Sequence, residues 1–167
     1  VTPFVLDCLR QYDVKATFFL LGKNAVANPG LCSRISEEGH AIGNHTFHHL
    51  DGWKVSGYSY KEDIRLADPL TGKAIFRPPY GRWPLFGCHD ISANRKVIMW
   101  DVMSYDYRAE TSPEQCRDNV IQNVRSGSII VFHDSPKAFK NLSLALPASI
   151  EFIKSKGLGF AALDSII

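Results

Sequence analysis

His45 and His49 stand four residues apart in Gly43-Asn44-His45-Thr46-Phe47-His48-His49, a spacing that lets both imidazoles face one point in a short helical turn. That point could hold a metal, because neutral imidazole is the commonest protein ligand for zinc. A catalytic zinc site takes three protein ligands and keeps a fourth position open, so this pair is one ligand short. Six histidines occur in the chain, and a surface or cap-forming cluster is the plainer reading of the pair taken alone. Other polar residues must decide. Arg77, Asp101 with Asp106, and His133 with Asp134 each follow a short apolar run, as His45 and His49 do. Singly, each has an ordinary structural reading: Arg77 pairs with a carboxylate, Asp101 caps a turn, His133 is a hydrogen-bonded core residue. Their joint placement at strand ends is the informative feature, since parallel βα folds gather strand C-termini on one face.

The elements that must position these residues are legible from alternation. Strands are expected at Ala16 to Leu21, Ala41 to Asn44, Ala74 to Arg77, Val97 to Val102, Ile129 to His133 and Gly159 to Leu163, each short and apolar. Between them lie amphipathic segments, the pattern of βα units. Ser59-Tyr60-Lys61-Glu62 and Ser112-Pro113-Glu114-Gln115 each offer an N-cap hydroxyl with an acidic or amide partner near the third helical position. Thr2-Pro3 reads as N-cap and first residue of the opening helix. Gly39 and Gly127 are placed for left-handed C-terminal caps. Six strand-to-helix steps predict an α/β barrel rather than an open sheet.

Length and charge bound the function. A chain of 167 residues with 45% hydrophobic content builds one domain and one sizeable core. The net charge of +2 and the absence of a basic run give no electrostatic footprint for nucleic acid. Apolar runs fall far short of the ~20 residues that span a bilayer, so no transmembrane segment is expected. Cys8, Cys32, Cys88 and Cys116 form no Cys-x-x-Cys pair and read as buried free thiols, with a disulfide left open.

The motifs together resemble NodB-type polysaccharide deacetylases, carbohydrate esterase family 4. His45-Thr46-Phe47-His48-His49 is similar to that family's His-Ser/Thr-x-x-His motif, and Arg77-Pro78-Pro79-Tyr80-Gly81 to its Arg-x-Pro-Tyr motif. The stretch Trp100 to Tyr107 resembles its Asp-x-x-Asp-Trp region with Asp106 at the second Asp, and Val131-Phe132-His133 its Leu-x-His. Lys15-Ala16-Thr17-Phe18-Phe19 and Gly39 to Asn44 are similar to its framework segments. Tyr107 replaces the usual Trp and Val131 the usual Leu, which alters the wall of the acyl pocket. The family's first motif, Thr-Phe-Asp-Asp-Gly, has no counterpart, so the expected fold is a distorted (β/α) barrel of the NodB type that lacks its first strand in residues 1–167.

The resemblance implies removal of acetyl groups from an N-acetylated or O-acetylated polysaccharide such as peptidoglycan or chitooligosaccharide. A divalent metal, zinc foremost, would be held by His45 and His49 with a third ligand, an Asp, supplied upstream of Val1. Bound there, it would bring water into its nucleophilic form near neutral pH and polarise the carbonyl. The backbone N–H of Tyr80 would stabilise the oxyanion. His133 would act as general acid, oriented by Asp106, and Arg77 would pair with a base carried by the first motif. Tyr107 and Val131 would border the substrate. Without the upstream carboxylates, residues 1–167 alone are expected to bind metal weakly and to turn over essentially nothing. Trp53, Tyr58, Trp83, Tyr105 and Tyr107 offer flat faces for sugar rings or serve ordinary packing. The alternative is a non-catalytic carbohydrate-binding relative, against which His133, Asp106 and Arg77 argue, since a binder needs no acid with an orienting carboxylate. A barrel glycosidase fits less well, wanting two carboxylates about one bond and no histidine pair. Compartment and oligomeric state leave no mark in the sequence.

Overall fold

The computed structural model describes residues 1–87, 91 and 93–165. In chain order its elements are α1 (Thr2–Gln11), β1 (Thr17–Leu20), α2 (Gly22–Ala27), α3 (Pro29–Glu37), β2 (Ala41–Asn44), α4 (Gly57–Thr71), β3 (Ile75–Phe76), β4 (Lys96–Val97), β5 (Val102–Met103), α5 (Pro113–Ile121), β6 (Ile130–Val131) and α6 (Phe139–Ser155). Single 3-10 turns lie at Pro79–Gly81 and Leu163–Ser165. The chain packs as two compact units, Lys15–Met99 with Ala162–Ile167, and Val1–Val14 with Trp100–Ala161.

The larger unit is built on a parallel sheet of order β1-β2-β3-β4. Thr17 to Leu20 run in register with Ala41 to Asn44, and Asn44 pairs in turn with Phe76. Parallel neighbours need crossover helices, which α2, α3 and α4 supply. The α4 face carrying Tyr60 and Ile64 buries against Phe76 and Ile91, with Leu50, Val55, Trp83 and Val97 packed around them. Its cap lies three residues earlier than Ser59: the Ser56 hydroxyl accepts the Ser59 N–H, making Ser59 the third helical residue. Gly39 follows α3 at φ 76°, a left-handed residue as predicted.

The smaller unit holds the parallel pair β5–β6, with Val102 opposite Ile130 and Met103 opposite Val131. Val102, Val120 from α5 and Ile153 from α6 form its core. Ser112 caps α5 in a full capping box with Gln115. The opening helix has Val1 at its N-cap and Thr2 inside, and the Thr2 hydroxyl donates to Asp134 at 2.6 Å rather than to its own helix end. Gly127 is left-handed at φ 83° but stands in a turn, since α5 ends at Ile121.

Two strand expectations change. Val97 to Val102 is not one strand: Lys96–Val97 joins the larger sheet and Val102–Met103 the smaller, with the break where one unit ends and the other begins. Gly159 to Leu163 makes no strand; there the Leu163 N–H donates to the Thr17 hydroxyl at 2.9 Å, a side chain taking the place of a ladder carbonyl. Cys8 and Cys116 are buried free thiols, and burial pushes Cys116 up to about 11. Cys32 is a half-buried free thiol, and Cys88 lies outside the described residues.

Candidate functional site

His45 to His49 leave β2 as an irregular loop, not the helical turn suggested by their spacing. Thr46 and His49 both lie at φ 65°, which a right-handed helix cannot contain. Side chains supply the hydrogen bonds that a helix would draw from its own carbonyls. Asn44, fully buried, accepts the Thr46 N–H at 2.8 Å and donates to the Ile64 carbonyl and to Asp68, each at 2.9 Å. The Thr46 hydroxyl accepts the His49 N–H at 3.0 Å. Asp63, buried on α4, accepts the N–H groups of Phe47 and His48 at 3.0 and 2.9 Å, and its other oxygen lies 2.5 Å from His48 Nδ1.

The loop brings the His45 and His49 rings to 5.0 Å between centroids. His45 Nδ1 lies 2.6 Å from the Arg77 carbonyl, which can only accept, so Nδ1 carries the proton and the lone pair is on Nε2. That is the tautomer a metal ligand needs, oriented by a backbone carbonyl as histidine ligands commonly are. The donor set therefore fits a share of a divalent metal site. Among the described residues no group of three or more His, Cys, Asp or Glu side chains is gathered for a metal.

Arg77 begins just past β3, and its guanidinium donates to the carbonyls of Ile98 and Met99 at 3.1 and 3.2 Å and lies 4.1 Å over the Phe19 ring. Burial lowers it to about 10, leaving it charged at neutral pH. Tyr80 sits in the 3-10 turn at φ 57°, its ring 4.6 Å from that of His49. His45, His49, Arg77 and Tyr80 thus come together within the larger unit.

In the smaller unit the loop after β5 delivers Asp106, wholly buried. One carboxylate oxygen accepts the His133 N–H at 2.7 Å and the other lies 2.7 Å from His133 Nδ1. A carboxylate only accepts, so Nδ1 is the protonated nitrogen and Nε2 is the one available for chemistry. Asn141 of α6 fastens this loop by donating to the carbonyls of Asp106 and Thr111 at 3.0 and 2.9 Å. The Tyr107 ring packs edge-on to His133 at 4.7 Å, and Val131 is buried on β6 two residues before it.

Asp101 does not belong with them. It precedes β5 rather than following a strand, and it caps the Ser128–Ile129 turn, accepting from the Ser128 hydroxyl and the Ile129 N–H at 3.0 and 2.7 Å. Burial pushes its carboxyl up, but these two bonds outweigh that and hold it below the ordinary range. Asp134 follows β6 but is held by Thr2, and burial raises it. Of the aromatic candidates, Trp83 packs in the core beside Tyr60 and Phe76, whereas Trp53 and Tyr58 are exposed.

Asn44, Asp63 and Asn141 were missed as positioning residues. A signal existed for two of them: Asp63 interrupts the apolar stripe Tyr60, Ile64, Ala67, and Asn141 adjoins Leu142, Ala145 and Leu146, so each is a polar group on a buried face.

A polysaccharide deacetylase family model matches residues 1–85, and the chain belongs to that family. Its fold class is the α/β, distorted (β/α) barrel of the NodB type. The chain is 36% identical to a peptidoglycan-N-acetylglucosamine deacetylase of Bacillus cereus, over 99% of its own length and 62% of the relative's. It is 32% identical to the chitooligosaccharide deacetylase of Azorhizobium caulinodans, over 80% of its length and 67% of the relative's. Among solved structures, the Bc1960 peptidoglycan N-acetylglucosamine deacetylase is similar at a TM-score of 0.90 and 34% identity, over 99% of this chain and 81% of that one.

Proposed function

We propose that this chain is the deacetylase domain of a metal-dependent hydrolase that frees the amino group of N-acetylated sugars in peptidoglycan or chitooligosaccharide. The observation that carries the reading is the two-point hold of Asp106 on His133, which fixes both the backbone and the ring of a candidate general acid. A packing histidine needs one partner, whereas an acid that must protonate a departing amine needs one orientation and one tautomer. Asp106 holds the Nδ1–H side of the ring, so the transferred proton would leave from Nε2. Family membership and the similar glycan deacetylases support the reaction class.

His45 and His49 would hold the divalent metal, zinc foremost, together with an Asp carried N-terminal to Val1. When bound, the metal would supply Lewis-acid polarisation of the acetamide carbonyl and water of lowered pKa. His45 enters with its tautomer set by the Arg77 carbonyl. The Tyr80 N–H would donate to the oxygen on which charge develops, and Arg77 would orient the upstream base. Tyr107 and Val131 would border the acetyl group, the smaller Val131 leaving more room than the family's usual Leu.

The test compares His45→Ala with His133→Ala in the chain extended through the first motif. The former is expected to lose bound metal and acetate release together; the latter keeps metal and loses turnover. Metal content of the purified variants decides, and equal metal loss in both overturns the roles.

A further inference from the structure

A row of flat groups leads away from the candidate metal ligands within the larger unit. The Tyr80 ring lies 4.6 Å from His49, the Arg82 guanidinium 5.7 Å from Tyr80, and the same guanidinium 4.6 Å over Trp53. Asp51 holds Arg82 at 2.5 Å and also accepts the Trp53 N–H at 3.0 Å, so one carboxylate fixes both partners of the stack. Even with the guanidinium over one face, Trp53 is 68% exposed, and Tyr80 is 59% exposed.

This exposure is built rather than accidental. A Cβ at Gly52 would come within 2.6 Å of the Arg82 carbonyl, and one at Gly57 within 2.2 Å of the Phe86 carbonyl. Two close backbone approaches therefore bind the Trp53 loop to the Arg82 segment, and only glycine permits them. The exposed indole is thus carried on a loop whose backbone packs against the Arg82 segment on both sides of it.

We propose that Trp53, stacked on Arg82, is a distal platform for a pyranose ring of an extended glycan, and that this domain engages chains longer than the sugar it deacetylates. The proposal rests on the deacetylase reading of the His45–His49 site. The chemistry favours a sugar: the axial C–H face of a pyranose packs on an indole, while Arg82 and Asp51 offer donors and acceptors for its hydroxyls. Tyr80 and Arg82 intervene between Trp53 and His49, so the ring on Trp53 is a neighbour along the chain and not the one losing its acetyl group.

Calorimetric titration with fully deacetylated glucosamine dimer and tetramer tests this without turnover, in the chain extended through the first motif, with acetate release read separately on the N-acetylated dimer and tetramer. The wild type is expected to bind the tetramer more tightly than the dimer. Trp53→Ala should weaken the tetramer by about three- to tenfold and leave the dimer unchanged. Trp53→Phe should restore part of the difference, and Gly52→Ala should lose it with Trp53 still present. An unchanged tetramer affinity in Trp53→Ala overturns the platform. So does an equal loss for dimer and tetramer, or a change of oligomeric state in its place, which would make the face a contact between copies. Length-dependent binding without acetate release would remove the deacetylase reading and leave the platform standing; acetate release without length dependence would do the reverse.

Discussion

Asp106 shows how much one carboxylate can fix. Both of its oxygens serve His133, it is wholly out of solvent, and its own carbonyl is held by Asn141. Asp106→Asn keeps size and one acceptor but leaves a single oxygen to serve both the His133 N–H and Nδ1–H. Turnover is expected to fall by about 10²-fold with metal content unchanged. Turnover retained in Asp106→Asn removes Asp106 from the reaction. The proximity of the motif residues was readable in the sequence because their spacing outlasts the change in local geometry. His45 and His49 converge although their loop is not helical. How they are aimed was only partly readable: Asp63 stands out as a polar residue on a buried face, but the bonds that it and Asn44 make to backbone N–H groups have no fixed spacing.

At the scale of elements, helix ends were legible where a local reciprocal bond decides them, as at Ser112 and Gln115. Ser59 misled because Ser56 offers the same hydroxyl three residues earlier. Strand existence followed from apolar runs, but Gly159 to Leu163 has that composition and no ladder, because pairing is settled by a distant neighbour and not by the run itself. His40, just before β2, gives an element-level prediction. Its Nδ1 accepts the Ala16 N–H at 3.2 Å, tying the entries of β1 and β2 together, and burial, reinforced by Lys15, lowers its pKa. A histidine depressed in the folded state stabilises the fold above its ordinary value of about 6.5 and loses that contribution as pH falls through the folded one. The melting temperature should therefore drop on acidification below about pH 6.5, and His40→Gln should flatten that segment of the curve. Parallel curves for the two proteins would exclude His40 as the source.

For the whole molecule, the chain spans 62% of the Bacillus cereus relative, and its two units hold different groups of the candidate residues. The larger holds the imidazole pair, Arg77 and Tyr80; the smaller holds His133 and Asp106. If the third ligand and the base lie N-terminal to Val1, as proposed, residues 1–167 alone should bind zinc weakly and release essentially no acetate. Zinc titration and acetate assay beside the chain extended through the first motif check this; equal rates in both would place the base among the present carboxylates. The bracing of the His45–His49 loop also sets a timetable for synthesis. The loop is shaped by Asp63, its first histidine is oriented by Arg77, and Asp68, which receives Asn44, is itself clasped by both terminal nitrogens of Arg95 at 2.8 and 3.2 Å. A nascent chain that has exposed His49 but not yet Arg77 and Arg95 carries both imidazoles without the frame that aligns them, so a metal bound by the pair, as proposed, would be captured only after roughly a quarter of the domain beyond His49 has emerged from the ribosome.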